Sequence, residues 1–169
     1  IAMTFAIGYL ALTYLIAIAA GSLMGFLGGK TDMVGLRLVE IWANVPFLYM
    51  VIILVSVMPG WWGVGWQVCA LLLIMVLFSW TGLTYYVRAA VYKEKSRDYV
   101  SAAKVIGAGP LRIIFKHLLP NVISTLVTFA PFTIAAAISS ITALDFLGYG
   151  LPPPAPSWGE LLKLSLIHI

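Results

Sequence analysis

The chain contains few charged residues and few of the residue types that form disulfides or bind zinc. Only 9% of its 169 residues are charged, against roughly 25% in an ordinary soluble domain. Its hydrophobic fraction is 62%, which is more apolar surface than a soluble core of this size can cover. The one cysteine, Cys69, lies in an apolar run, so a packing role is expected for it rather than a disulfide framework or a zinc site. The composition indicates a membrane protein.

The uncharged stretches predict membrane-spanning helices. Residues 1–29, 41–87 and 118–144 carry no charge. A helix needs about 20 apolar residues to cross the hydrocarbon, so the middle run is long enough for two crossings. A turn at 59–66, which carries three tryptophans, divides that run. Because backbone amides inside hydrocarbon must pair within their own segment, the predicted fold is an all-α helical bundle. The predicted spans are 3–27, 34–58, 67–87 and 121–144.

The basic residues predict the orientation of these spans. Seven of the ten Lys and Arg residues lie between Arg88 and Lys116, in the loop 88–120 that follows the third span. Loops rich in Lys and Arg stay in the cytoplasm, so this loop is expected there. The formal charge of +4 is therefore read as an orientation signal, and the lipid bilayer, not nucleic acid, is the expected surroundings. The segments expected outside carry Asp145, Glu160 and, as their only basic residue, Lys163.

Small residues in the first span predict close helix packing. They recur every four residues, which places them on one helical face and lets a second helix approach. The predicted packing face consists of Ala17, Gly21, Gly25 and Gly29.

Two kinds of residue inside the predicted spans invite a functional interpretation. Pro46 and Pro131 are expected to kink their helices. A carboxylate near a span interior, such as Glu40, is a functional candidate by default. Because Arg37 lies three residues earlier on the same face, we predict a local ion pair at the membrane edge instead.

The loop after the third span has internal order. Asp98 is predicted to be the N-cap of a short helix, and Gly107 to end that helix. Pro110, after Gly109, is suited to the first turn of a second helix over 110–119, which Pro120 then ends or kinks. We call residues 98–120 the knob. Its predicted tip is Ser101, Ala102 and Ala103.

The knob resembles the cytoplasmic loop of permease subunits in ATP-binding-cassette importers. Their pattern is Glu-Ala-Ala, three residues, Gly, nine residues, a hydrophobic residue, any residue and Leu-Pro. This chain departs from it at Ser101, where glutamate is usual, and at His117, where isoleucine is usual. The segment 117–121 is similar to the dipeptide, oligopeptide and nickel branch of the family. The sequences at 142–146 and 159–162 are similar to those of permeases of microcin C and extended peptides. The matching positions are Ser101, Ala102, Ala103, Gly107, His117, Leu119 and Pro120.

The resemblance implies a function and a set of partners. The knob would sit in a groove of cytoplasmic ATP-binding subunits and carry their movement into the spans. A second permease subunit, a periplasmic solute-binding protein and a peptide substrate would complete the system in the bacterial inner membrane. The residues expected in the ATPase-coupling site are Asp98, Tyr99, Ser101, Ala102, Ala103, Gly107, Arg112, Phe115, His117, Leu119 and Pro120.

Other function classes remain open at this point. Nickel or another small solute is an alternative substrate within the same family. An ion-coupled transporter would need ionisable residues deep in its spans, and only Glu40 approaches that position. The sequence shows no nucleotide motif, nucleophile–base pair or metal-ligand spacing, with His117 included, so we predict no enzyme activity, no metal and no cofactor.

Both ends of the chain are expected to be cut from a longer permease of roughly six spans. Ile1 begins inside an apolar run, and the family pattern predicts another span after Leu162. Residues 164–169 back-translate to CTG TCT CTT ATA CAC ATC, a common transposase sequencing adapter, so we expect read-through there and a permease domain over 1–163. The proline-rich stretch 152–156 favours an extended conformation; a stiff connector and a part of the outer mouth are both open interpretations.

Overall fold

Helices form nearly all of the chain in a computed structural model, which describes residues 2–152 and 157–167. Within those residues there is no strand. The helices, in chain order, are α1 (Ala2–Leu27), α2 (Gly29–Ala43), α3 (Phe47–Ser56), α4 (Val64–Lys95), α5 (Asp98–Val105), α6 (Pro110–Ile113), a π-helical turn (Ile114–Leu118), α7 (Leu119–Leu147) and α8 (Trp158–Ile167). Residues 153–156, which belong to the stretch predicted to be extended, and residues 168–169 lie outside the described residues.

Length and apolar composition identify the membrane-spanning helices. Three continuous helices qualify: Ala2–Leu27, Val64–Lys95 and Pro110–Leu147, the last of which joins α6, the π turn and α7. The pair α2 and α3 qualifies together but is bent by 69° at its break. The described chain thus has three candidate spans, or four if the bent pair counts as one. The predicted all-α, multi-span membrane fold is confirmed.

The second predicted span, 34–58, differs from the structure. Two helices occupy it, and Pro46 is the N-cap of the second, with an extended backbone at φ −66° and ψ 106°. Asn44 ends the first helix by donating from Nδ2 to the carbonyl oxygen of Glu40 at 2.8 Å. Since proline has no amide proton and disfavours a helical residue before it, the chain breaks here instead of bending as one helix.

The chain divides into two compact units. Unit 1 contains the residues up to Leu12, Val45–Ser79 and those from Pro131 onward. Its core joins segments of α1, α3, α4 and α7. Lipid tails are as apolar as these side chains, so close packing rather than exclusion from water favours their association. The buried core residues of unit 1 are Phe5, Ala6, Tyr9, Val51, Leu71, Met75, Val76, Ala137, Ile141 and Leu144.

Unit 2 contains Thr13–Asn44 and Trp80–Ala130 and includes the whole knob. Its core joins the end of α4 to α5, α6, the π turn and the start of α7. The knob is therefore packed against membrane helices and does not hang free as a loop. The buried core residues of unit 2 are Val87, Val91, Val100, Ala103, Ile113, Leu118, Val122 and Leu126.

Candidate functional site

The first knob helix, α5, begins one residue earlier than the sequence predicts. Its N-cap is Arg97, at φ −74° and ψ 149°, and no side chain makes a capping hydrogen bond. Asp98 is the first residue of the helix rather than its cap. Its carboxylate still favours the helix, because a negative charge in the first turn offsets the macrodipole.

Gly107 ends α5 in the way that the sequence predicts. Its φ is +84°, a left-handed conformation that glycine adopts without strain. The amide of Gly107 donates to the carbonyl of Lys104 at 3.0 Å, and the amide of Ala108 donates to that of Ala103 at 2.9 Å. These two bonds form a Schellman motif, which satisfies the last carbonyls of the helix and reverses the chain direction.

Of the two outcomes expected at Pro120, an end or a kink of the second knob helix, the structure excludes the end, because the helix continues into α7. Pro110 takes the first helical position after the cap Gly109, as predicted. The helix then widens into the π turn Ile114–Leu118, where the amide of Leu119 bonds to the carbonyl of Ile114, and continues into α7. Pro120 has no amide proton for the carbonyl four residues earlier. A wider turn just before it accommodates that missing bond without breaking the helix.

One side of the knob is buried. Val100, Ile113 and Leu118 are 0–2% exposed and belong to the core of unit 2. Ala103 is 4% exposed, so it lies in this core and not at the tip predicted for it, while Ser101 and Ala102 are exposed. Leu119 is also buried. Ala103 and Leu119 are thus part of the packing that holds the knob in position.

The opposite side of the knob exposes large apolar side chains. Val105 and Ile106, on either side of the end of α5, are 87% and 84% exposed, and Leu111 and Phe115 are 69% and 67% exposed. Lys104, Arg112 and Lys116 are exposed on the same segment. The sequence analysis singled out Phe115 and Arg112 but missed the other three apolar residues. The signal for Val105 and Ile106 was their position as an apolar pair directly before the helix-ending glycine; no such signal marked Leu111.

A polar network joins the knob to its two flanking helices. The hydroxyl of Tyr99 lies 2.9 Å from Oε2 of Glu94, at the end of α4. Nδ2 of Asn121, in α7, donates to the Tyr99 oxygen at 3.1 Å and to the carbonyl of His117 at 2.9 Å. Burial and the neighbouring Glu94 carboxylate raise the pKa of Tyr99, so the phenol keeps its proton at neutral pH. Sequence patterns gave no sign of this network.

The predicted packing face of the first span is only partly where it was expected. Ala17 is buried, and a Cβ built on Gly21 would lie 2.7 Å from Cβ of Val87. A Cβ on Gly25 would lie 2.7 Å from the carbonyl oxygen of Arg88. Gly29 is instead the first residue of α2, with φ +55° and no atom within 4 Å of a Cβ built on it. Gly29 would lie on the packing face only if α1 continued past Leu27 with the same helical spacing. Because α1 ends at Leu27, the role of Gly29 is conformational.

Ion pairs and one hydrogen bond from a lysine connect or stabilise the helices α1, α2 and α4 in unit 2. Arg88 donates two hydrogen bonds to the carboxylate of Asp32, a pairing that the sequence did not predict. Nζ of Lys95 donates to the carbonyl of Phe26, the penultimate residue of α1, at 2.5 Å. The predicted local pair between Arg37 and Glu40 is confirmed, with Nη1 and Oε2 2.6 Å apart.

The segment after α7 is organised by a buried carboxylate. Asp145 is 6% exposed, accepts a hydrogen bond from the amide of Leu151 and interacts with the hydroxyl of Ser157. The Ser157 oxygen in turn accepts the amide of Glu160 at 3.1 Å, which caps α8. Among the described residues, no three His, Cys, Asp or Glu side chains are grouped as metal ligands.

Several apolar spans with a structured loop between them are the architecture of a multi-pass membrane protein. The chain belongs to the family of binding-protein-dependent transport system inner membrane components, whose model matches residues 17–167. It is accordingly a multi-pass inner-membrane protein of a permease family rather than of a class of enzymes.

Individual relatives are similar over most of the chain. The peptidoglycan transport system permease protein YejE of Agrobacterium fabrum is 42% identical over 88% of this chain and 37% of its own length. The inner membrane ABC transporter permease protein YejE of Escherichia coli is 43% identical over 86% of the chain and 41% of its own length. The oligopeptide transport system permease protein OppC of Bacillus subtilis is 34% identical over 92% and 49%. The chain spans less than half the length of these relatives.

Proposed function

We propose that the chain is the membrane-spanning part of an ATP-driven importer and that its knob docks into a groove on a separate cytoplasmic ATP-binding subunit. The observation that carries this is the exposure of Val105, Ile106, Leu111 and Phe115, at 67–87%. Val105 and Ile106 lie outside every candidate span of the described chain, and Leu111 and Phe115 lie at the start of the span Pro110–Leu147. Exposed apolar groups clustered on one short segment are typical of protein-binding surfaces. The hydrolysis of ATP takes place on the partner, and this chain performs no chemistry.

The chemistry of the knob defines the partner surface. Lys104, Arg112 and Lys116 are exposed beside the apolar side chains. Interfaces commonly have an apolar centre and a charged rim of complementary sign. The groove on the ATP-binding subunit is therefore expected to have an apolar floor and acidic residues at its edge.

The anchoring of the knob suits the transmission of movement. The buried side chains Val100, Ala103, Ile113 and Leu118 hold it against α4 and α7, and the Schellman motif at Gly107 defines the angle between its helices. When the ATP-binding subunits close on ATP, a knob held in this way carries their displacement into the spans, which switches the pathway between outward and inward access.

The proposed substrate is a peptide, with extended peptides such as microcin C as the finer assignment. Relatives named for peptidoglycan, oligopeptide and dipeptide transport support a peptide over nickel or another small solute. A second permease subunit would complete the pathway. A periplasmic solute-binding protein would deliver the peptide, in keeping with the description of the family.

Docking is tested by co-purification of the full-length permease with its ATP-binding subunit. Ile106→Asp replaces one of the most exposed apolar side chains of the knob with a charge and is expected to remove most of the bound ATP-binding subunit. Trp61→Asp is the matched control, because Trp61 is also 84% exposed but lies in the turn predicted on the outer side. Full recovery of the ATP-binding subunit with Ile106→Asp would contradict the docking surface.

Transport is tested in proteoliposomes that contain the complete complex and a radiolabelled tripeptide. Uptake that requires internal ATP and the binding protein supports the importer. Uptake that follows an ion gradient without ATP would instead identify an ion-coupled transporter.

A further inference from the structure

Each hydrogen bond around Tyr99 has an identifiable donor and acceptor. A phenol has one proton, and Oε2 of Glu94 at 2.9 Å is a better acceptor than the carbonyl of His117 at 3.5 Å. The same phenol oxygen accepts one proton of the Asn121 amide at 3.1 Å. The other proton of that amide goes to the His117 carbonyl at 2.9 Å. The carbonyl of His117 is therefore within reach of both the Asn121 amide and the Tyr99 hydroxyl.

The network spans three separate elements. Glu94 lies in the last turn of α4, Tyr99 in the first turn of α5, and Asn121 in the first turns of α7. The carbonyl of His117, which accepts a hydrogen bond from Asn121, belongs to the π turn. The second oxygen of Glu94 lies 3.5 Å from Nη2 of Arg97, the N-cap of α5. One hydroxyl group thus connects the beginning of the knob with the helices at both of its ends.

Hydrogen bonding rather than tight packing holds these side chains. Glu94 and Asn121 also line a cavity of about 270 Å³, together with Tyr86, Lys93 and Thr125, so space remains beside them. Bonds to a charged acceptor are shorter and stronger than bonds between neutral groups. The pKa of Tyr99 is raised by burial and by Glu94, which keeps the phenol a donor over the physiological pH range.

We propose that Glu94, Tyr99 and Asn121 form a clamp that makes the knob move as one body with α4 and α7, with the Tyr99 hydroxyl as its positioning group. This inference rests on the proposed function, since the clamp transmits the movement that the ATP-binding subunit imposes on the knob. Tyr99 itself contacts neither ATP nor peptide in this role.

The test uses the full-length permease in its complete complex, in lipid nanodiscs and proteoliposomes. Tyr99→Phe removes the hydroxyl and keeps the ring. We expect amide hydrogen exchange in α5 to rise about tenfold, the factor that corresponds to one lost hydrogen bond to a charged acceptor. The ATP consumed per radiolabelled tripeptide transported should rise several-fold, while the ATP-binding subunit still co-purifies.

Matched variants separate positioning from general damage. Tyr92→Phe is the control, because Tyr92 is 63% exposed at the same end of α4 and its hydroxyl makes no hydrogen bond within the described part of the chain. Asn121→Ala should reproduce Tyr99→Phe, and the double variant should add little to either single one. Glu94→Gln keeps an acceptor oxygen and should retain most of the coupling, whereas Glu94→Leu should not.

The outcomes distinguish this inference from the proposed function. Unchanged α5 exchange in Tyr99→Phe overturns the clamp, and increased exchange with an unchanged ratio of ATP to peptide overturns its part in transmission. If the wild-type complex shows no ATP-driven uptake, the proposed function fails and transmission with it. The exchange measurement then still decides whether the three residues hold the knob.

Discussion

Arg88 and Asp32 form a two-point ion pair between helices that are 56 residues apart in sequence: Nε of Arg88 donates to Oδ1 of Asp32 and Nη2 donates to Oδ2. The paired geometry matches the planar guanidinium to the carboxylate and so fixes direction as well as distance. The side chains are 28% and 16% exposed, which places the pair between a solvated surface pair and a buried one. It holds the start of α2 against α4, next to the knob.

Removal of the Asp32 charge is expected to destabilise unit 2. Asp32→Asn leaves Arg88 partly buried without a counter-charge, so we expect a loss of about 1 to 3 kcal/mol in the free energy of unfolding. Thermal unfolding of the purified protein in detergent measures the effect. Arg88→Lys should also destabilise, because an ammonium group cannot make the two-point contact.

Glu40→Gln provides the control for this pair. The Arg37–Glu40 pair is 75% and 38% exposed, so its loss should change stability by no more than about 0.5 kcal/mol. The double variant Asp32→Asn with Arg88→Gln should be less unstable than the sum of the two single changes, since no unpaired charge remains. Strict additivity would show that the two side chains do not act as a pair.

Contact between α1 and α4 should not tolerate even one methyl group at Gly25. A Cβ there would lie 2.7 Å from the carbonyl oxygen of Arg88 and 3.1 Å from Cβ of Val91, and backbone cannot move aside cheaply. We expect Gly25→Ala to lower the free energy of unfolding by about 1 to 3 kcal/mol through overpacking. Detergent unfolding and the yield of folded protein report on it.

Gly82→Ala is the matched change for Gly25→Ala, since both glycines lie within helices. No atom lies within 4 Å of a Cβ built on Gly82. Alanine favours a helix by up to about 1 kcal/mol over glycine, so this variant should be neutral or more stable. Equal losses for Gly25→Ala and Gly82→Ala would mean that the helices do not approach as closely as the structure indicates.

Substitutions at Gly107 should act through the backbone conformation required there and not through the volume of the new side chain. No atom lies within 4 Å of a Cβ built on Gly107, but its φ of +84° strains any residue that has one. Gly107→Ala should therefore weaken the knob by about 1 kcal/mol and reduce recovery of the ATP-binding subunit, while membrane insertion stays intact. Gly109→Ala, at φ −69°, should leave both unchanged. The placement of the knob would be contradicted if Gly107→Ala co-purified the ATP-binding subunit as well as Gly109→Ala does.

Composition was sufficient for the fold class, and local turn signals were sufficient for the turn between the two knob helices. Uncharged runs long enough to cross a bilayer can form little but helices there. Gly107 tolerates the left-handed conformation that ends a helix, and Pro110 has a φ fixed close to the helical value. Arg37 and Glu40, three residues apart, were predictable because helical spacing alone brings them together.

Features that depend on contacts between helices could not be predicted. The Asp32–Arg88 pair and the Tyr99 network join residues that only the packed structure brings near each other. Pro46 was expected to kink a helix and Pro120 to end or kink one, yet the chain breaks at the first and widens into a π turn before the second. Both outcomes accommodate the hydrogen bond that proline cannot donate, and the local sequence does not distinguish them. Ala103 was assigned to the tip because its neighbours were small, whereas its burial depends on which face of α5 meets the core.

The hydroxyl of Ser157 should be needed for the segment that follows α7. It accepts the amide of Glu160 at 3.1 Å and interacts with the buried carboxylate of Asp145. Ser157→Ala removes a helix cap, which is worth about 1 kcal/mol, and leaves a buried charge with one partner fewer, which adds about 1 to 2 kcal/mol. We therefore expect increased amide exchange at the start of α8 and a lower unfolding temperature in detergent.

Ser56→Ala is the control, because the Ser56 hydroxyl is exposed and donates only to the carbonyl of Ile53 in its own helix at 2.8 Å. Equal effects of the two changes would contradict a special role for Ser157, whereas a loss confined to Ser157→Ala would identify Asp145 and Ser157 as the pair that holds α8 to the end of α7.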